Sequence, residues 1–536
     1  YIGGIVGNAY SASLTNGYIY THLNGCVNKG DLLYKDVCCQ ADNLIISPSV
    51  GGIAAGLHHH TVLASNANKI SNYGATFANC TNYGDVTLQA NCGGYSGDVH
   101  TTVLVHAAGI VARAAYTSLT DCDNYGAIKL DGIFTQTFSG GICGASWYTS
   151  LENCDNFGAV DVTETTIFRG IMLAGISGNN YSEANLTYST KNCSNNAPIT
   201  CLGSTDPTAP ASGALHYRIG GCEGFGRSKV EGLTNNKEGV VTCKGKVIYL
   251  TKASYYCEVG GVTAYRTTNP WSKVFNYAPV NIDIEFSIHK DVTDDTTKVI
   301  DRSFFIGGLA GYSTQAPMDS QNHGNVNVKG HYSGERLYIG GIVGYGTVNY
   351  TQNYGEVNVN ATSTTTHTFI GGLFGGNDGT SAREEILNKG VVNVEGSYTT
   401  VGVGGIGGQN RMPMNAAKNE AAVNVKASAS SAISAGGLFG YHVRHYYKNA
   451  KEGIVMEGGN GPLIDCVNNG KVTVEGVNSG GSAHVGGIAR QGQNDMIGCI
   501  NNGEIEVKGS FKSSIYVGGL ITVNSACLRE DCVNNG

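Results

Sequence analysis

Proline is scarce, tryptophan scarcer and charge thin: 9 prolines, 2 tryptophans and 14% charged residues serve a chain of 536. The basic residues are scattered against a formal net charge of -7, so the basic stripe that nucleic acid demands is missing and nucleic acid is excluded as a partner. No window holds the roughly 18 consecutive apolar residues of a membrane-crossing helix, so no membrane span is expected. No segment sustains a 3.6-residue period, which all but removes helix from the fold. Neither a collagen-like glycine period nor a long polar tract is present, and disorder is excluded with them.

Chemical signatures are lacking too. There is no Ser/His/Asp signature or nucleophile elbow, no glycine-rich run between a strand and a helix, and no His-Glu-x-x-His. Cys-x2-Cys spacing, the mark of many zinc sites, does not occur. The expectation is a chain that is not an enzyme and that carries neither cofactor nor metal.

What fills the chain is repetition. "YIGGIVG" at 1–7 returns verbatim at 338–344, and degenerate copies of its Gly-Gly or Ala-Gly pair begin at Gly51, Ala108, Gly140, Ala174, Gly220, Gly260, Gly307, Gly371, Gly404, Gly436, Gly486 and Gly518. The commonest interval is 31 to 34 residues, as from Gly307 through Gly436, and longer intervals read as the same unit with an inserted loop. A second phrase, Cys/x-x-Asn-x-Gly, runs out of phase with the first: "CVNKG" at 26, "CTNYG" at 80, "CDNYG" at 122, "CDNFG" at 154, "CVNNG" at 466, "CINNG" at 499 and "CVNNG" at 532. Relaxed copies center on Asn195, Asn276, Asn322, Asn353, Asn388 and Asn419, while "LTNNKEG" at 233–239 matches poorly. A third phrase follows, such as "VNVKG" at 326 and "VNVEG" at 392.

The third phrase alternates at period two, the pattern of a strand with one buried face, so Val326 and Val328 should point inward and Asn327 and Lys329 outward. Glycine within the apolar "IGGIVG" marks a bend or a close approach of backbone. The Asn-x-Gly phrase reads as a tight corner, on the ground that Gly reaches positive φ without strain and Asn tolerates it. A unit this short cannot bury its apolar face alone, whereas stacked units bury a continuous core. The expected fold is therefore all-β: a single-stranded β-solenoid (β-helix) of about 14 coils, three short strands per coil, in parallel in-register stacking. Residues 1–300 would carry coils with long loop insertions and residues 301–536 regular coils, in one continuous repeat domain. Stacked at one corner, Asn28, Asn82, Asn124, Asn156, Asn353, Asn388, Asn468 and Asn501 should form an amide ladder like that of cross-β stacks.

Of the 17 cysteines, eight share one repeat position: Cys26, Cys80, Cys122, Cys154, Cys193, Cys466, Cys499 and Cys532. Val274, Ser320, Thr351, Ile386 or Ala417 stands there in other coils, so the position is a small buried slot and its thiols read as packing.

"GGIVG" at 3–7, "GGLAG" at 307–311 and "GGLFG" at 371–375 and 436–440, each followed by the Asn phrase, resemble the GLUG-type repeat of bacterial surface and secreted proteins. The resemblance implies an extracellular or cell-surface location and a stalk-like, filament-forming or adhesin-like role. It weakens between about 200 and 300, where Pro207, Pro210, Pro270 and Pro279 interrupt the pattern. Some large surface peptidases carry such repeats, but without His-Glu-x-x-His no peptidase activity carries over.

Candidate sites are few. The middle residue of the Asn phrase is Tyr83, Tyr125 and Phe157 in successive coils, which should stack into an exposed aromatic ladder for a glycan. "YHVRHYYKN" at 441–449 offers Arg444, Tyr446 and Tyr447 as a contact loop. Asp121, Asp123 and Asp155 are the nearest approach to a catalytic or calcium cluster, "KDVTDDTT" at 290–297 reads as an exposed loop, and "HHH" at 58–60 alternates faces on a strand. A polysaccharide lyase or hydrolase on a β-helix scaffold is the alternative to an adhesive or structural segment. "TSTTTHT" at 362–368 is a single run and no ice-binding array. Expected partners are a glycan or cell-surface ligand and further copies end to end. The chain starts and stops inside a repeat, and the expectation is a stretch of a longer polypeptide or ends covered by neighboring subunits.

Overall fold

The computed structural model describes residues 1–14, 17–19, 21–36, 48–59, 76–91, 104–182, 188–204, 215–249, 255–288, 302–377, 383–442, 446–448, 455–457, 461–492, 495–524 and 528–536. Among these residues every regular element is a strand, and the fold is a parallel β-solenoid. The chain divides into two compact units, Tyr1–Ile300 and Asp301–Gly536.

In the second unit each rung repeats the same course. The strand after the Gly pair (Val343–Gly346) leads to the Asn strand (Thr351–Asn353), then to the Val-x-Val strand (Val357–Ser363), which returns through His367–Gly371 to the next Gly pair. Val326, Val357, Val392 and Val423 pair in register on successive rungs and are fully buried, as is Val472 above them. Each such valine contributes about 1.5–3 kcal/mol of burial. Between them Asn327, Asn358, Asn393 and Asn424 face outward, as the alternation requires, and bond side chain to side chain at 3.1, 2.9 and 3.0 Å.

The first unit follows the same course: Val111–Ala115, Ser118–Thr120, Asp123–Asn124 and Ile128–Gly140. The short strand before the Asn strand, here Ser118–Thr120, also stands in the second unit at Pro317–Met318, Met414–Asn415, Leu463–Ile464 and Met496–Ile497. Insertions do not disturb the stacking. Although Gly3 and Gly51 are separated by a loop-bearing interval, Ile2 pairs Val50 and Gly3 pairs Gly51. Among the described residues two antiparallel pairings depart from the rule, Val6–Leu14 with Gly17–Ile19 and Tyr446–Lys448 with Val455–Glu457.

The glycines explain why the first two phrases recur together. A Cβ on the first Gly of a pair would lie 2.1 Å from a carbonyl three residues on, as at Gly340 against Val343. A Cβ on the second would strike the Asn ladder: 2.0 Å from Asn124 at Gly109, 2.1 Å from Asn156 at Gly141 and 2.5 Å from Asn353 at Gly341. The two phrases are thus opposite sides of one contact across the core. The last Gly of "GGLFG" packs backbone on backbone, its Cβ position 2.5 Å from the amide of Ile339 at Gly375.

One expectation is corrected here. The Gly of Asn-x-Gly does not take positive φ; it is small because a Cβ at Gly126 or Gly158 would lie 2.0 or 1.9 Å from the Gly carbonyl of the rung before. Alanine takes the place at 197, 278 and 421. The left-handed residue is the one before the Cys position. Gly25, Asn79, Asp121, Asn153, Asn192, Gly232 and Lys273 occupy it in the first unit, and Asp319, Tyr350, Glu385, Ala416, Asp465, Gly498 and Asp531 in the second, with φ from 48 to 78°.

Candidate functional site

The ladder is the frame on which any site is hung. Asn28, Asn82, Asn124, Asn156, Asn195, Asn235 and Asn276 are stacked in register in the first unit, each Nδ2 donating to the Oδ1 of the next at 2.8–2.9 Å. In the second unit Asn322, Asn353, Asn388, Asn419, Asn468, Asn501 and Asn534 do the same. The remaining Nδ2 proton goes to a backbone carbonyl, usually two residues on, as from Asn124 to Gly126 at 2.8 Å. Asn235 belongs to the ladder although its phrase matched poorly: Lys237 and Glu238 lengthen the turn, and its amide reaches Gly239 instead.

The expected aromatic strip is present. Tyr83 and Tyr125 stack at 5.0 Å between ring centroids and 13° between planes, and Tyr125 and Phe157 at 4.8 Å and 7°. The rings are 52%, 44% and 42% exposed. Their positions are fixed from below, since the amides of Tyr125 and Phe157 donate to Asn82 and Asn124 at 2.7 Å. The strip is a flat π surface with polar rims, suited to the apolar face of a sugar ring. Beyond Phe157 the column is polar for two rungs, with Asn236 donating to Asn196 at 2.7 Å, and then returns to an exposed aromatic at Tyr277. In the second unit the same column holds His323 stacked on Tyr354 at 4.6 Å, then Lys389 at 5.4 Å from the Tyr354 ring.

The acids do not converge. Asp123 and Asp155 stack in register, but Asp155 accepts from the Ser194 amide at 3.1 Å and its hydroxyl at 2.6 Å, and Asp121 accepts from Asn153 at 3.1 Å. Burial, then the neighboring Asp155, raises the Asp123 carboxyl above its usual range. The cysteines among the described residues are free thiols. Cys122 is pushed up to about 12, first by its hydrogen bond with Cys154, and Cys143 to about 12 by burial. Such thiols pack and donate weakly to carbonyls, as Cys154 does to Leu119 at 3.5 Å. Arg444, His60 and residues 290–297 lie outside the described residues, and Tyr446 and Tyr447 are described only as part of their hairpin strand.

Comparison with family models, with curated proteins and with solved structures returned no match.

A second pair of columns escaped the sequence reading. Two residues before each Gly pair, and five after its first residue, side chains point away from the core and meet outside the bend. In the first unit these are His106, Phe138, Met172, Arg218 and Glu258 on one side, and Arg113, Ala145, Asn179, Phe225 and Tyr265 on the other. In the second, Phe305, Tyr338 and Phe369 stack at 5.7 and 5.6 Å beside Tyr312 and Tyr345 at 5.8 Å. The fixed offsets from the Gly pair are the signal that would have found them.

Proposed function

We propose that the chain is a non-enzymatic structural and adhesive β-solenoid segment of a bacterial cell-surface or secreted protein, in keeping with its GLUG-like phrases, and that it holds glycan on the strip Tyr83–Tyr125–Phe157. One observation carries the reading: three aromatic faces stand half exposed at rung spacing on a backbone pinned by the buried ladder. Aromatic rings left uncovered on a rigid frame give contact area at little entropic cost, the usual makeup of a binding surface. The test is a glycan array probed with the whole chain and with a Tyr83→Ala, Tyr125→Ala, Phe157→Ala variant. Binding by the parent and at least about ten-fold weaker binding by the variant is the expected result. Equal binding by both removes the adhesive role of the strip and leaves a structural stalk.

A further inference from the structure

The first unit treats its arginines in two ways. Arg266 and Glu223 are both fully buried and bonded at 2.6 Å, with Asn180 donating to the other oxygen of Glu223 at 3.1 Å. Arg218, nearly buried, is bonded to Glu258 at 3.1 Å. Those two positive charges are neutralized within the protein. Arg113 and Arg227, at the partly exposed rim of the outer columns, pair with no carboxylate among the described residues, and the Nε of each is buried without a hydrogen-bond partner.

Both unpaired guanidiniums are nonetheless held in place. Arg113 lies 5.1 Å over the Trp147 ring, and Arg227 lies 4.9 Å over Tyr181 and 5.5 Å over Phe225. Beneath them Phe138, Ala145, Met172 and Phe225 form an apolar floor, with Trp147, Tyr181 and Tyr265 packed partly exposed against it. A cation stacked on an aromatic face is attracted by the ring but keeps its in-plane donors free. The arrangement is a fork offered to an anion, next to flat rings, repeated at two heights of the same strip.

We propose that this outer strip of the first unit binds a sparsely charged acidic polysaccharide lying along the rungs. Its carboxylate or sulfate groups would take Arg113 and Arg227, and its sugar rings would lie against the partly exposed edges of Trp147 and Tyr181 beside those guanidiniums. Spacing favors this class over nucleic acid. The two arginines belong to rungs three apart, on the order of 14 Å at about 4.8 Å per rung, whereas duplex DNA carries a charge roughly every 1.7 Å. A chain of net charge -7 also repels a densely charged polymer. The strip occupies a different column from Tyr83–Tyr125–Phe157, and the two sites stand or fall separately.

The experiment titrates the whole chain with hyaluronan, which carries one carboxylate per disaccharide, and with highly methyl-esterified pectin, using dextran and single-stranded DNA as controls. Binding of an acidic polysaccharide is expected, weakened at least about ten-fold in R113Q/R227Q and unchanged in the Tyr83/Tyr125/Phe157 alanine variant. R113K/R227K, which keeps the charge, should recover part of the loss. Circular dichroism establishes that each variant keeps its strand signal, and a variant that loses it is replaced by the single substitution R113Q. The proposal is overturned if the parent binds no acidic polysaccharide, if dextran or DNA binds as tightly, if R113Q/R227Q binds undiminished, or if lysine rescues nothing.

Discussion

The two units build the same rung with different margins of comfort. In the first, the left-handed position before the Cys slot is held by Gly, Asn or Asp at every coil but that of Lys273. In the second, three successive coils place Tyr350, Glu385 and Ala416 there, residues that adopt φ near 50° only at a cost of about 1 kcal/mol each. Those same coils carry extra amide ladders: Asn327, Asn358, Asn393 and Asn424 outside, and Asn377, Asn410 and His442 inside, joined at 2.8 and 3.1 Å. The regular unit therefore tolerates local strain because it is over-determined by side-chain bonding. Among its described residues the first unit has few such ladders and buries single, non-repeating polar contacts, of which Arg266–Glu223 is the most enclosed.

The sharpest way to break this contrast is to remove one of the single contacts. Glu223→Ala leaves Arg266 buried and unpaired, and should destabilize the first unit by about 3–5 kcal/mol while leaving the second untouched. Hydrogen exchange read peptide by peptide in the whole chain would show it; protection lost equally in both units would refute the independence of the contact. Next in size, Asn124→Ala and Asn388→Ala each remove a buried amide that bonds the rungs on either side. A loss of about 3 kcal/mol is expected in each unit, centered on the altered rung, and urea-dependent exchange measures it.

Acid sharpens the comparison further. His442 is fully buried, and burial first, then Arg529, holds its imidazole down to about 4 against an ordinary 6.5. Between those values the unfolded chain binds a proton that the folded chain refuses, so this stability is intact above pH 6.5 and drains away as pH falls toward 4. The share of His442 is at most about 3 kcal/mol. His442→Asn, which continues the amide column from Asn410, should shrink the acid-induced loss in the second unit, measured as midpoint against pH. The smallest effect is a gain. Ala416→Gly relieves a left-handed alanine and should raise stability by about 0.5–1 kcal/mol, whereas Asn153→Gly in the first unit should change it by a few tenths.

Much of this was legible in the residues. The period, the inward valines and the eight expected ladder asparagines follow from pattern alone, since each recurs at fixed spacing with one chemical type. What stayed hidden lacks one of those properties. The left-handed column contains Lys, Tyr, Glu and Ala as well as Gly and Asn, so composition gives no hint of its shared φ. Arg266 and Glu223 are 43 residues apart, and nothing local marks either as the other's partner. The outer columns recur at fixed offsets, but their residues range from Ala145 to Arg218, so only the offset carries information. The Gly of Asn-x-Gly stands at a close approach of backbone and not at the positive φ expected of it, because the two causes leave the same letter behind.

The ladder also bears on how the chain tolerates its long excursions. Within each unit the amides of the Asn ladder donate toward the higher-numbered rung, and the second proton goes to a carbonyl of the same turn. A strand returning from a loop one residue out of phase would offer the middle residue of its phrase to the column in place of Asn, and both bonds would fail, a penalty of about 2 kcal/mol before packing is counted. The column thus works as a proofreader of alignment, accepting each turn only in the correct phase and direction. That lets evolution lengthen the loops between turns without rewriting the frame that receives them.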